Sequence, residues 1–154
     1  MNRHARTPEP DWMDQVVIRL IRATDLTDLE WDGEYAHFRR VYADAYQRSL
    51  RGQTLMWVAE LRGKGLIGQV FIQLSCDRPE LADGVRRAYL YSFRIKPPYR
   101  NAGIGGRMME AVEDDLRRRG FTHLTLNVAK DNLDAQRLYE RRGYQRMAHE
   151  PGCW

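Results

Sequence analysis

Strand-like and helix-like patterns of apolar residues follow one another along the first third of the chain. Residues 16–21 form an apolar, β-branched run that is typical of a strand, and either Thr24 or Asp25 offers a side-chain oxygen suited to cap a following helix. From residue 34 to residue 50, apolar side chains recur at three- and four-residue spacing, which predicts an amphipathic helix. A helix with one apolar face must cover another surface, so we expect a sheet beneath it.

The middle of the chain predicts an antiparallel meander. Two apolar runs, residues 55–61 and 66–74, flank Arg62-Gly63-Lys64-Gly65, whose glycines suit a hairpin turn. A polar loop at residues 77–85 leads to a third apolar run at residues 88–95. Because strands joined by such connections usually pair antiparallel, these runs indicate one continuous sheet.

The last third of the chain predicts a strand-helix-strand unit. The helix after residue 95 has its apolar stripe on Ile104, Met108, Val112 and Leu116. It ends at Gly120, and residues 121–128 have the composition of a strand, so the order implies a parallel pair. A short helix at residues 133–142 and a strand at residues 144–149 follow.

These elements predict a single α/β (α+β) domain, with a mixed, mostly antiparallel sheet flanked by helices. With 154 residues, of which 43% are apolar, the chain can bury one core but not two. We expect the domain to span residues 15–154. Residues 1–14 contain two prolines and no apolar run, so we expect them to form a flexible N-terminal tail.

The charge of the chain suits an anionic partner. The net charge is +4 and the pI is about 9.3, which fits either nucleic acid or a phosphate-rich cofactor. The densest basic run, Arg117-Arg118-Arg119, closes a predicted helix, where cations favour the helix dipole. Elsewhere acids and bases are interleaved, so no nucleic acid is expected as a partner.

Two classes of location and chemistry are not favoured by the sequence. No apolar run is long enough to cross a bilayer, so no membrane is expected as a partner. Cys76 and Cys153 match no metal-binding or redox spacing. The sequence therefore predicts a reducing, cytoplasmic location, with neither a disulfide nor a bound metal.

A glycine cluster carries the first chemical signal. Gly63-Lys64-Gly65 joins two predicted strands, whereas Gly103-Ile104-Gly105-Gly106 follows a strand and opens a helix. The first N–H groups of a helix lack intrahelical partners and can hold an anion, and glycines let it approach closely. Arg100 and Arg107 would add positive charge. The alternative is a glycine-rich turn that binds nothing.

The spacing of this cluster excludes two common phosphate motifs. A nucleotide P-loop requires a lysine after its last glycine, and none is present. A dinucleotide fingerprint requires glycine at position 108, which is Met108.

Two ordered motifs surround the cluster. The residues Pro97, Arg100, Gly103 and Gly105 follow the pattern Val-x-Pro-x-x-Arg-x-x-Gly-x-Gly, with Ile95 in the place of its Val. The residues Asn132, Ala135, Leu138, Tyr139, Gly143 and Tyr144 match Asn-x-x-Ala-x-x-Leu-Tyr-x-x-x-Gly-aromatic. With both motifs, the chain resembles the GNAT superfamily of acetyl-CoA-dependent N-acyltransferases, from about residue 16 to residue 149 and more weakly before residue 55.

The resemblance implies acetyl-CoA as cosubstrate, no metal, and direct transfer of the acetyl group to a primary amine in a ternary complex. The cofactor-binding residues that it implies are Phe93, Arg94, Ile95, Arg100, Asn101, Ala102, Gly103, Ile104, Gly105, Gly106, Asn127 and Asn132. The backbone of residues 93–95 would pair with the pantetheine arm like an added strand, and its N–H groups would stabilise the oxyanion. Residues 100–106 would hold the pyrophosphate. Tyr139 would protonate the departing thiolate.

Several residues have a structural alternative. Tyr139 can simply pack on the buried face of its helix, and Asn132 can cap that helix. Asn127 could reach the amide groups of the cofactor, but a structural role explains it equally well. The general base is open, because Glu60, Glu80 and His123 are candidates of different kinds and none is favoured.

The acceptor site is the least defined part. Aromatic residues precede and begin the long predicted helix, and acidic residues occupy the 77–85 loop. These are Trp31, Tyr35, Phe38 and Tyr42, and Asp77, Glu80 and Asp83. They could bind a cationic amine, but core packing and a solvated loop explain them equally well. The expected acceptor is a small-molecule or peptide amine, and a small molecule, a peptide N-terminus and a lysine side chain all stay open.

The resemblance also implies one more strand after residue 149, for which too few residues follow, so we expect the final strand to be shortened or missing. An open sheet edge there favours a homodimer. It also favours the rival hypothesis of a non-catalytic acetyl-CoA-binding sensor or scaffold.

Overall fold

A five-stranded sheet orders its strands as they occur in the chain, β1-β2-β3-β4-β5, in a computed structural model that describes residues 10–145. The strands are β1 (Val16–Leu20), β2 (Thr54–Leu61), β3 (Gly65–Gln73), β4 (Arg87–Ile95) and β5 (His123–Leu126). The first four pair antiparallel, and β4 and β5 run parallel. The predicted mixed, mostly antiparallel sheet is confirmed.

Three α-helices cover the two faces of the sheet. They are α1 (Arg39–Leu50), α2 (Ile104–Arg118) and α3 (Leu133–Arg141). Tyr42 and Ala45 of α1 pack on one face, in a cluster with Phe71. The apolar stripe of α2 packs on the other face together with Tyr139 of α3. Because side chains alternate along a strand, β2 and β3 contribute to both clusters and are almost fully buried.

The region before β1 differs from the prediction. Asp11–Gln15 is a 3-10 helix, and its Met13 side chain is buried at 4% exposure. Arg107 of α2 donates hydrogen bonds to the backbone oxygens of Met13 and Val16, each at 3.4 Å. Residues 11–14, which fall within the predicted N-terminal tail, are thus helical, and Met13 packs in the core; the flexibility of the tail stays a prediction. Residues 1–9 lie outside the described part of the chain.

The first helical segments also differ from their predictions. The helix predicted at residues 34–50 becomes regular only at Arg39, after a 3-10 turn at Ala36–Phe38. The preceding segment, Ala23–Glu30, is a 3-10 helix in which Arg22 occupies the N-cap position and Asp25 lies inside the first turn. Instead, the Asp25 carboxylate accepts the Arg22 backbone N–H at 2.7 Å and pairs with Arg19.

The end of the chain is described only in part. Tyr144 and Gln145 follow α3 without forming a strand. The rest of the predicted strand at residues 144–149 lies outside the described residues, as do the shortened final strand and the edge expected to dimerise. Within residues 10–145, no helix is long and apolar enough to cross a membrane.

Candidate active site

A cleft lies where β4 and β5 separate. The two strands pair from Arg87 with His123 to Leu90 with Leu126 and then diverge. Beyond Leu90, the side of β4 that faces β5 has no strand beside it among the described residues. The opening has a volume of about 610 Å³, which is within the range of small-molecule sites.

Most of the predicted site residues line this cleft. They are Phe93, Arg94, Ile95, Arg100, Asn101, Gly103, Gly105, Gly106, Asn127, Asn132 and Tyr139. The side chains of Ala102 and Ile104 do not line it. Ile104 is 1% exposed in the core, and Ala102 packs against the same core, so their side chains anchor the loop from behind.

A β-bulge in β4 bends this strand at the cleft. Gln69 pairs with Arg94 and Phe71 pairs with Tyr91, so β4 has one extra residue in this interval. Ser92 adopts a positive φ of 53°, and the buried Gln69 amide donates to its Oγ at 2.8 Å and to its backbone oxygen at 3.3 Å. Sequence reasoning missed this device, although an uncharged polar residue within the apolar run of β3 was a signal.

The loop before α2 presents an open helix N-terminus. Asn101 and Gly103 have positive φ values of 60° and 98°, and no side chain caps the first turn of α2. A Cβ atom built on Gly103 or Gly106 would meet no atom within 4 Å, so this surface is open to a ligand. A Cβ atom on Gly105 would lie 3.5 Å from Leu138, so this glycine also sets how closely α2 approaches α3.

The two arginines assigned to this loop have different positions. The Arg100 Nε donates to the Ile95 backbone oxygen at 2.7 Å, which holds the side chain along the cleft wall. Arg107 does not line the cleft, because it bonds the backbone of the segment that precedes β1. Arg107 therefore secures the N-terminal segment, contrary to the expected role in anion binding.

Tyr139 lines the cleft from α3 and is 7% exposed. Burial raises the pKa of its phenol well above the ordinary value of 10.0, so the hydroxyl stays protonated at neutral pH. Within the described residues, its hydroxyl has no hydrogen-bond partner. Its ring contacts Tyr144 edge to face, with 5.6 Å between centroids.

Charged groups behind Tyr139 hold this aromatic pair in place. The Tyr144 hydroxyl donates to Glu113 of α2 at 2.9 Å, and Arg142 binds the same carboxylate with two nitrogens, at 2.6 and 3.2 Å. Burial alone would raise the pKa of Glu113, but the hydrogen bonds from Arg142 and Tyr144 lower it below its usual range. The end of α3 is thus fixed against α2.

The two asparagines of the site have distinct contacts. The Asn132 side chain caps α3 by accepting the Ala135 backbone N–H at 3.2 Å, as the alternative interpretation predicted. Asn127 follows β5, and its amide donates to the Tyr89 hydroxyl at 3.1 Å. Both side chains line the cleft.

Comparison with known proteins identifies the family. The model of the Acetyltransferase (GNAT) family matches residues 23–144. The chain belongs to this family. Acetyl transfer to an amine is the general reaction of GNAT proteins, and acetyl-CoA is their acetyl donor.

Individual GNAT proteins are similar to the chain in sequence or in fold. The Bacillus subtilis protein named "Uncharacterized N-acetyltransferase YycN" is 28% identical over 108 residues, which cover 70% of this chain and 66% of that protein. The chain thus spans slightly less than two thirds of this relative's length.

Two solved structures share the GNAT fold. A ribosomal-protein-alanine N-acetyltransferase from Brucella melitensis has a TM-score of 0.67 at 18% identity, over 88% of this chain and 96% of that chain. The structure of AAC(6')-Iy in complex with the bisubstrate analogue CoA-S-monomethyl-acetylneamine has a TM-score of 0.70 at 17% identity, over 88% of this chain and 94% of that chain.

The three candidate bases of this GNAT protein lie outside the cleft. Glu60 of β2 pairs with Arg19 of β1 at 3.0 Å, and β3 separates both strands from the cleft between β4 and β5. Glu80 is 57% exposed and pairs with Arg78 at 2.7 Å. His123 begins β5, at the end opposite the cleft.

The acidic loop does not contribute to the cleft either. The Asp83 carboxylate accepts backbone N–H groups from residues 85–87, at 2.8 to 2.9 Å. These hydrogen bonds lower the pKa of Asp83 to about 2 and give it a structural role in the loop. No group of three or more potential ligands that could hold a metal occurs among residues 10–145.

The four aromatic residues assigned to the acceptor site form a cluster around Arg94. We call Trp31, Tyr35, Phe38 and Tyr42 the aromatic cluster. The guanidinium carbon of Arg94 lies 3.9 Å from the ring centroid of Tyr35 and 5.5 to 5.9 Å from the other three. The resemblance assigned only the backbone of Arg94, so the role of its side chain was missed. Its signal was a charged residue inside an apolar strand.

Proposed function

We propose that the chain transfers the acetyl group of acetyl-CoA to a primary amine by direct attack in a ternary complex. The observation that carries this proposal is the cleft between β4 and β5, which is lined both by an uncapped helix N-terminus and by a buried, protonated tyrosine. The first group suits a diphosphate and the second suits proton donation to a leaving group.

The residues of the loop fit the phosphate part of acetyl-CoA. The first N–H groups of α2 lack intrahelical partners, and Gly103 and Gly106 leave the approach to them open. Arg100 adds a cation at the same place, with its Nε held by Ile95. Acetyl-CoA, when bound, supplies an acetyl thioester.

The strand β4 fits the extended arm of the cofactor. From Tyr91 onward, the β5-facing side of β4 has no strand partner within the described residues, so its backbone groups can pair with an extended chain. Phe93 follows the bulge at Ser92 and lines the opening, where its backbone N–H would stabilise a developing oxyanion.

Protons have a donor in the cleft but no buried acceptor. Tyr139 donates its phenolic proton to the departing thiolate. Among the described residues that line the cleft, Asp134 is the only carboxylate, and its side chain is 82% exposed and paired with Arg137. We therefore assign removal of the amine proton to water in the cleft.

The acceptor remains a small-molecule or peptide amine in this proposal. The names of the structural relatives refer to a ribosomal-protein alanine and to an acetylated neamine, so amine acceptors of different sizes occur on this fold. Homodimerisation and a cytoplasmic location remain predictions from the sequence.

Calorimetry followed by a thiol-release assay tests the proposal. Acetyl-CoA should bind the wild-type protein, and Arg100→Gln should weaken binding about tenfold through loss of a charge-assisted contact. Arg117→Gln is the matched control, because Arg117 is exposed at the opposite end of α2 and outside the cleft. Absence of binding would refute the proposal. Binding without thiol release on any amine would favour the sensor or scaffold.

A further inference from the structure

The guanidinium of Arg94 is half-buried and has no carboxylate partner among residues 10–145. Its Nη2 donates to the Tyr42 hydroxyl, and its Nε is buried with no partner in the same part of the chain. Within the described part of the chain, Arg94 forms no ion pair. The carboxylate of Glu30, on the segment that leads to the aromatic cluster, is bound instead by Arg39, at 2.9 and 3.0 Å.

The aromatic cluster fixes the plane of this guanidinium without neutralising it. Stacking at 3.9 Å on Tyr35 uses the face of the guanidinium, whereas its N–H groups point outward in the plane. An arginine held in this way loses little further side-chain entropy when it binds a planar anion. Because Nη2 donates to Tyr42 and Nε is buried, Nη1 is the guanidinium nitrogen that can bind a carboxylate.

Arg94 lies next to the bulge of β4, at the cleft. It lines the cleft, and its neighbour across the strands, Gln69, holds Ser92 in the bulge. Tyr42 connects the two, because its hydroxyl lies beside both Arg94 and Gln69. The same bulge thus sets the backbone at the reacting end of the cleft and the direction of the Arg94 side chain.

Two further basic side chains lie near the aromatic cluster or the cleft. The Lys96 ammonium lies 5.8 Å from the Trp31 ring and forms no ion pair within residues 10–145. Arg48 lies beside the cleft-lining Tyr91, and its Nε is buried without a partner. Such a region repels an amine that carries only positive charge and attracts one that also carries an anion.

We propose that the acceptor amine carries a carboxylate, and that Arg94 binds this carboxylate and selects the acceptor. This inference rests on the proposed function and names the acceptor class for the same cleft. A cation beside the bound amine also lowers the pKa of that amine and favours the neutral form that can attack the thioester. The aromatic cluster then serves to orient Arg94, and not to receive the amine itself.

Matched acceptors test this proposal. The free amino acid alanine is compared with alaninamide, and the free amino acid β-alanine with β-alaninamide. The peptides Ala-Glu-amide and Ala-Gln-amide provide the same chemistry from an acidic peptide. The wild-type protein should show a kcat/KM about 10- to 100-fold higher for the carboxylate member of at least one pair, as expected for a charged hydrogen bond. The pair that shows it identifies the source of the carboxylate.

Variants separate recognition from folding. Arg94→Gln should lower kcat/KM for the carboxylate member far more than for the amide member, so that the ratio of the two values comes close to one, and Arg94→Lys should keep an intermediate ratio. Arg39→Gln removes an equal charge nearby, outside the cleft, and should leave the ratio unchanged. Equal rates for both members of every pair in the wild-type protein would overturn the inference. An Arg94→Gln protein that loses both rates equally would also overturn it, because Arg94 would then be structural.

A binding measurement keeps this test independent of turnover. N-acetylalanine should bind the CoA-loaded protein about tenfold more tightly than N-acetylalaninamide, and Arg94→Gln should remove the difference. The corresponding products of the other pairs are compared in the same way. If no amine promotes thiol release, the proposed function fails, and equal binding of the two members of every pair would then refute the inference separately.

Discussion

Replacement of Tyr139 by phenylalanine separates proton donation from packing. The substitution removes one hydroxyl and keeps the ring that contacts Tyr144. This hydroxyl has no hydrogen-bond partner among the described residues, so the fold loses no hydrogen bond there. The free energy of unfolding should therefore change by less than about 1 kcal/mol.

The catalytic effect should be much larger than the effect on stability. A positioned general acid typically contributes about 100- to 10,000-fold, so kcat of Tyr139→Phe should fall by a factor in this range. Burial raises the pKa of Tyr139 far above its usual value, so the phenol is protonated at every pH used for the assay. The ratio of wild-type to variant kcat should thus be the same at pH 7 and pH 9.

Tyr144→Phe is the matched control. It also removes one hydroxyl from the same aromatic pair, but this hydroxyl donates to Glu113 at 2.9 Å and lies outside the cleft. It should cost about 1.5–3 kcal/mol of stability and change kcat less than about fivefold. Urea unfolding and thiol release measure the two quantities. If Tyr139→Phe keeps a third or more of the wild-type kcat, Tyr139 is not the acid.

Two further predictions address the loop and the charged network. Gly106→Ala should stabilise α2 by about 0.5–1 kcal/mol, yet weaken acetyl-CoA binding measured by calorimetry, because the new Cβ lies in the open space through which the phosphates approach. Ala111→Gly, further along α2, should destabilise the helix without changing the affinity for acetyl-CoA. Unchanged affinity in Gly106→Ala would contradict the phosphate assignment. Glu113→Gln should lower stability at pH 7 by about 1–2 kcal/mol. Because Arg142 and Tyr144 lower the pKa of Glu113, this difference should shrink as the pH falls below 4.5, and a constant difference in urea unfolding from pH 7 to pH 3.5 would contradict it.

The sequence located the strands better than the ends of the helices. Runs of apolar and β-branched residues located every strand from β1 to β5, because this signal is a matter of local composition. The start of α1 was misplaced because Tyr35 and Phe38 fit a helical stripe in sequence. In the structure their rings surround Arg94 instead, and the backbone there is a 3-10 turn.

The three candidate bases show why residue type alone does not identify a catalytic base. Glu60, Glu80 and His123 each had suitable chemistry, but β-strand pairing and loop geometry place all three away from the cleft. The role in anion binding that was expected of Arg107 has the same difficulty, because α2 directs its side chain toward the backbone of Met13. Proximity in sequence to a motif does not determine which face of a helix a side chain occupies.

The sequence by itself determined the family resemblance, the positions of the strands and the glycine loop at the start of α2, because motifs and composition are local properties of the chain. Only the tertiary structure decided where β4 leaves β5, which it does through a bulge held by Gln69 from the neighbouring strand. It also decided that Arg94 stacks in the aromatic cluster without a carboxylate partner among the described residues. Both depend on contacts between residues distant in sequence, so the polar Gln69 and Arg94 within apolar strands marked these positions without revealing their partners.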